Sequence, residues 1–201
     1  MSTTAAERRR DGWAVLFALL FPTLVTVVYF VLLAGHPTAW QQGAYSVGKV
    51  LQFGLPVVWA LLVQRRSISW RLPRRRELRE GGALGLAILA AMLLVYFGWM
   101  KQGGLPAEAT AAIRDKAVGI GIASVSQFFA LGAFYALGHS LLEEYYWRWF
   151  VFGQLANLSR RLVAVTLSAA GFMAHHVCVL AFYFGWNSPT GLFLTVFLSL
   201  S

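Results

Sequence analysis

The chain has 201 residues, of which 58% are hydrophobic and only 12% charged, with a mean hydropathy of +0.62. Soluble globular domains average about 25% charged residues, so this composition excludes an ordinary water-exposed surface and requires a polytopic membrane protein. The net charge of +9 would suggest a nucleic-acid partner in a soluble protein, but here the basic residues follow the loops, and no nucleic-acid role is expected.

Apolar runs fall at residues 13–34, 45–63, 82–100, 119–142 with a continuation to 155, and 162–184, and a sixth begins near Gly191. Each of the first five can cross about 30 Å of hydrocarbon at about 1.5 Å per helical residue. The first is too long for the core of a cleavable signal, contains Pro22 and leads into further spans. Pro22 and Pro56 lie inside runs and predict kinks absorbed by neighbouring helices. Twelve of the 17 basic residues fall on one side: Arg8 to Arg10, the seven arginines Arg65, Arg66, Arg71, Arg74, Arg75, Arg76 and Arg79 around Pro73, and Arg160 and Arg161. The other side carries Lys101, Arg114 and Lys116, with acidic Glu108 and Asp115 among them. The asymmetry predicts a cytoplasmic N-terminus, in the cell membrane. The arginine-rich loop is expected to meet anionic lipid head groups. Gly103-Gly104-Leu105-Pro106 opens an external segment in which residues 107–117 are expected to form a short interfacial helix, a lid or a spacer. The one cysteine, Cys178, excludes an intrachain disulfide. These elements predict an all-α, polytopic transmembrane helical bundle of about six spans, with residues 1–201 forming a single membrane domain. The stretch from Gly191 to Ser201 is about 17 Å long as a helix, short of a bilayer, which predicts that the natural protein continues past Ser201.

Within the fourth run stands Glu143-Glu144-Tyr145-Tyr146-Trp147-Arg148. A charge near a bilayer centre costs about 2.5 to 3.5 kcal/mol on insertion scales, so three in six residues need partners or a function. On a helix Glu144 and Arg148 share a face and can pair, whereas Glu143 lies about 100° further round and is left free. The fifth run carries Phe172-Met173-Ala174-His175-His176. Phe172 and His176 share a face, and His175 projects about 100° away. A lone intramembrane histidine is more often a packing residue than a ligand, but depth favours a meeting here. With a turn near residues 157–161, Glu143 and His176 each lie about 21 Å from it on antiparallel neighbours, and the small Ser168, Ala169, Ala170 and Gly171 allow close approach. His139, four residues before Glu143, is within reach of a hydrogen bond to it, although packing is the role expected of it.

The pattern Glu-Glu-x-x-x-Arg at Glu143, Glu144 and Arg148, followed by Phe-x-x-x-His at Phe172 and His176, resembles the first two motifs of the CPBP (Abi) family over residues 131–201. That family includes the type II CAAX prenyl endopeptidases and bacterial bacteriocin-processing or immunity proteins. The resemblance implies an intramembrane endopeptidase acting on a membrane-associated protein or peptide, a CAAX-type end or a leader or sorting peptide. It implies that Glu143 activates water, His176 polarises the scissile carbonyl or binds a metal, Arg148 orients the glutamates, and Glu144 assists. Were the enzyme metal-dependent, Glu143 and His176 would hold a divalent ion such as zinc. The family's third motif, His-x-x-x-Asn or His-x-x-x-Asp, is missing, since no histidine follows His176; it is expected beyond Ser201, and without it residues 1–201 are expected to lack a full catalytic set. His-Glu-x-x-His is absent as well, so the common soluble zinc-protease arrangement is not present.

Two other classes fit parts of the pattern. A non-catalytic membrane scaffold or immunity protein could keep the motif as a structural ion pair. A proton-coupled transporter would also bury Glu, His and Arg, but repeated halves and matched discontinuous helices are not seen in this sequence.

Overall fold

A computed structural model describes residues 4–65, 74–103 and 107–185. These residues form six helices, which we number α1 (Ala5–Leu32), α2 (Thr38–Val63), α3 (Arg75–Gln102), α4 (Ala107–Gly119), α5 (Val125–Leu158) and α6 (Arg161–Phe184). No strand occurs among them. All but α4 are long and apolar enough to cross a membrane, and the chain is an all-α membrane helical bundle. The expected sixth span from Gly191 and the third motif lie outside the described residues.

Local chemistry sets the helix starts. Thr4 and Glu7 form a reciprocal cap on α1: the Thr4 hydroxyl accepts from the Glu7 N–H at 3.2 Å, and the Glu7 carboxylate accepts from the Thr4 N–H at 2.8 Å. Ser124 and Gln127 do the same on α5. That cap corrects one boundary. The run expected to cross from residue 119 begins instead at Val125, because Gly121 adopts a left-handed φ of 86° and breaks the chain into a turn between α4 and α5. The short helix expected at residues 107–117 is present as α4.

Helix α1 is central and packs against α2, α5 and α6. The core consists of Val15 and Ala18 of α1, Tyr146, Trp147, Phe150, Val151 and Leu155 of α5, and Ala164 of α6. Lipid tails are as apolar as these side chains, so close van der Waals packing has to hold the bundle. Glycines permit it at two crossings. A Cβ on Gly48 would stand 2.8 Å from the Val25 methyls, and one on Gly171 would stand 2.7 Å from Leu19 and 3.0 Å from the Trp147 ring. Helix α3 has no buried residue.

Proline supplies the second kind of contact. Pro22 has no N–H, so the carbonyl of Ala18 one turn earlier loses its helical donor. The buried Tyr146 hydroxyl replaces it, donating to that oxygen at 2.8 Å. The neighbouring Tyr145 hydroxyl reaches the carbonyl of Phe53, three residues before Pro56, at 3.4 Å. Pro22 therefore acts as a docking point for a tyrosine on α5, which is more than the kink the sequence suggests.

A polar cluster fixes the register at the end of the bundle that holds Arg8, Arg10 and the α5–α6 turn. Gln64, immediately after α2, donates to Asp11 of α1 at 3.1 Å, and it exchanges two hydrogen bonds with Gln154 of α5 at 3.0 and 2.9 Å. Arg8 caps the chain reversal by donating to the carbonyl of Leu158 at 3.0 Å. From the Gln64–Gln154 pair, Phe53 and Glu143 each lie eleven residues, about 16 Å, further into the membrane. This common depth is where the polar side chains of α2, α5 and α6 converge.

Candidate active site

Glu143 is half-buried on α5, between two imidazoles. One of its oxygens, Oε1, lies 3.3 Å from Nε2 of His139 and 3.8 Å from Nε2 of His175. The other, Oε2, lies outside these two contacts. His139 reaches Glu143 from within α5, across a backbone that widens into π-helical turns at Phe134–His139 and again at Glu144–Phe152. Such turns are frequent at functional sites. His139 does more than the packing expected of it: it meets Phe53 and Tyr135 edge to face and also contacts the carboxylate.

The second imidazole is the one the helical face assigned elsewhere. His176 shares a face with Phe172 as expected, and its Nδ1 lies 3.0 Å from the Phe172 carbonyl. It is His175, however, that comes within 3.8 Å of Glu143. The reason lies in the stripe through which α6 meets α5. Ala164, Ser168, Gly171 and His175 recur at helical spacing on that face. Ala164 is fully buried, Ser168 donates to the Trp147 carbonyl at 3.4 Å, and Gly171 lies against the Trp147 ring. His175 then stacks on that ring with an interplanar angle of 2°, and Phe172 closes its edge. The signal for His175 was therefore available as the continuation of the small-residue stripe.

His176 remains part of the cluster. One donor atom from each of Glu143, His175 and His176 lies within 4.8 Å of the others. The chemistry of this set fits a divalent metal: two imidazoles and a carboxylate are a familiar zinc complement, with a fourth position left for water. An Nδ1–H of His176 bonded to the Phe172 carbonyl would leave Nε2 as the ligand atom, the usual outer-shell arrangement for a ligating histidine.

Glu144 and Arg148 pair as the spacing predicts, at 3.0 Å. Their surroundings differ from expectation. The side chains are 51% and 76% exposed, so the pair lies on a face of α5 that the other described helices do not cover. It stands apart from the Glu143 cluster, to which it is joined through the α5 backbone alone.

One residue at this depth carries no motif. Lys49 of α2 is a cation inside a predicted span, which is itself a signal of function, yet nothing in the Glu-Glu and Phe-His patterns points to it. Its Nζ donates to the buried Gln52 side chain at 3.1 Å and sits over the rings of Tyr45 and Phe53 at 5.5 and 5.4 Å.

Comparison with known proteins supports the same part of the chain. Residues 125–200 match the family described as type II CAAX prenyl endopeptidase Rce1-like. This stretch begins at the α5 cap and contains Glu143, Glu144, Arg148, His175 and His176. No curated protein and no solved structure matches the chain.

Proposed function

We propose that this chain, a relative of the CPBP (Abi) family of CAAX-type intramembrane proteases through residues 125–200, is itself an intramembrane endopeptidase that hydrolyses a peptide bond of a membrane-associated substrate. The observation that carries the reading is Glu143, a carboxylate held between His139 and His175 within a helix long and apolar enough to cross a membrane. In the proposed reaction Glu143 takes a proton from a water molecule, and the water oxygen attacks the scissile carbonyl carbon. An imidazole N–H of His175, and His176 in its protonated form, stabilise the negative charge that develops on the carbonyl oxygen. The C–N bond then breaks, and the proton held by Glu143 passes to the departing amine. Tying Oε1 to His139 aims the carboxylate, which shortens the search for a reactive geometry. Glu144 and Arg148 assist by bracing the turn of α5 that follows Glu143. Glu143, His175 and His176 would also hold a divalent ion such as zinc, which when bound supplies Lewis-acid polarisation of the carbonyl.

The substrate is a CAAX-type carboxyl-terminal peptide, or a leader or sorting peptide, that enters from the lipid. Purified protein in vesicles is expected to cleave such peptides. Loss of cleavage with chelator and recovery with zinc would assign the metal, and insensitivity to chelator would assign the glutamate acting alone. Failure of the full-length protein on all these peptides would instead favour a non-catalytic scaffold.

The N-terminus is proposed to be cytoplasmic in the cell membrane, with Arg74, Arg75, Arg76 and Arg79 at anionic head groups. The twelve-to-three distribution of loop basic residues supports this orientation. Single cysteines at Arg75 and Gln102, in a chain with Cys178→Ser, are expected to react from opposite sides of the membrane. Labelling of both by an impermeant external reagent would reject the topology.

A further inference from the structure

The ammonium of Lys49 makes no ion pair among the described residues. This is unusual, because an intramembrane lysine ordinarily pairs with a carboxylate or a carbonyl. A carboxylate stands nearby, since the Phe53 ring that Lys49 faces also meets the His139 in contact with Glu143, but Glu143 is turned toward His139 and His175. Lys49 is held elsewhere. Helices α1 and α2 approach closely beside it, with Gly48 against Val25, and Gln52, 1% exposed, orients the ammonium through a 3.1 Å contact. The Tyr45 and Phe53 rings complete an apolar collar around the ammonium.

The collar adjoins the Glu143 cluster. The Phe53 ring that Nζ faces at 5.4 Å is also 6.2 Å from the His139 imidazole, which contacts Glu143. These two separations bound the span from the imidazole to the ammonium, and an extended tripeptide covers about 10 Å. A CAAX-type substrate carries its lipid on the fourth residue from its end, so the three residues beyond that cysteine finish in a free α-carboxylate. A leader peptide cleaved internally brings no such charge.

We propose that Lys49 is a specificity-determining residue that binds the free carboxyl terminus of the substrate while Glu143 attacks the bond three residues upstream. The proposal rests on the peptidase reading above and narrows its substrate to peptides with a carboxyl-terminal charge. A charge-assisted contact in low dielectric both favours the anion and rejects its neutral analogue, which would leave the lysine unpaired.

The test uses the full chain in vesicles and two lipid-anchored peptides, identical except that one ends in a carboxylate and the other in a carboxamide. Cleavage and equilibrium binding are both measured for wild type, Lys49→Met, Lys49→Arg and the Glu143→Gln control. Wild type is expected to prefer the carboxylate by about 10- to 100-fold in kcat/KM, mainly through KM, with the same preference in Kd. Lys49→Met should bring the ratio close to one, and Lys49→Arg should keep most of it. Equal handling of the two peptides by wild type, or retention of the preference in Lys49→Met, overturns the proposal. So does an equal fall in kcat on both peptides in Lys49→Met, which would move Lys49 to the developing oxyanion. If wild type cleaves neither peptide, the peptidase reading fails by itself, and the binding ratio still decides the role of Lys49.

Discussion

Replacing Glu143 by glutamine is expected to lower kcat/KM by about 10²- to 10⁴-fold while leaving the protein folded, the range usual for loss of a positioned general base. The amide has nearly the size and shape of the carboxylate, so the contacts of α5 with Phe53 and α6 are kept, and what is lost is the ability to take a proton from water. The control is Glu144→Gln. Glu144 is 51% exposed and pairs with Arg148, itself 76% exposed, on a face of α5 that the other described helices do not cover. The glutamine amide oxygen can still accept from the Arg148 guanidinium, so Glu144→Gln should keep its fold and a thermal midpoint close to that of wild type. Circular dichroism and thermal unfolding in detergent, measured alongside cleavage, separate the two variants. Cleavage at the wild-type rate by a folded Glu143→Gln would remove the general-base role. A collapse of folding in that variant would mean that the carboxylate serves structure.

The spans and the pairing of Glu144 with Arg148 were legible because they depend on local quantities, namely hydropathy over about 20 residues and a four-residue helical repeat. The convergence of Glu143 with the histidines was legible from depth, because a short turn fixes two antiparallel helices in register. What depth could not resolve was which histidine faces the carboxylate. That choice depends on the rotation of α6, set by Ser168 and Gly171 against Trp147, and on π-helical widening around Glu143, which departs from the 100° step assumed for a regular helix. Lys49 and Gln52 escaped for a different reason: they come from a helix about ninety residues earlier in the chain, whose register to α5 is fixed by the Gln64–Gln154 exchange. The exposure of Glu144 and Arg148 likewise depends on which faces α1 and α6 cover.

Loss of the Tyr146 hydroxyl is expected to destabilise the bundle by about 1 to 3 kcal/mol, and the presence of Pro22 determines how much. In Tyr146→Phe the ring still fills the core against Phe53 and Trp147, so packing changes little. The Ala18 carbonyl, however, loses the donor 2.8 Å away that replaced the N–H missing from Pro22. A buried acceptor without a partner costs about 1 to 3 kcal/mol, and no water is at hand in hydrocarbon to relieve it. Pro22→Ala restores an N–H one turn after Ala18, so the helix can satisfy that carbonyl itself. The hydroxyl should then matter far less, and a double-mutant cycle on unfolding in mild detergent should give a coupling of about 1 kcal/mol or more between two residues 124 positions apart. Cleavage adds a second readout, because Tyr146 is one turn from Glu143 and its bond to α1 holds that turn in place: Tyr146→Phe should lower kcat, and Pro22→Ala should restore part of it. Equal destabilisation by Tyr146→Phe in both backgrounds would show that the ring, and not the hydroxyl on the broken carbonyl, carries the contribution.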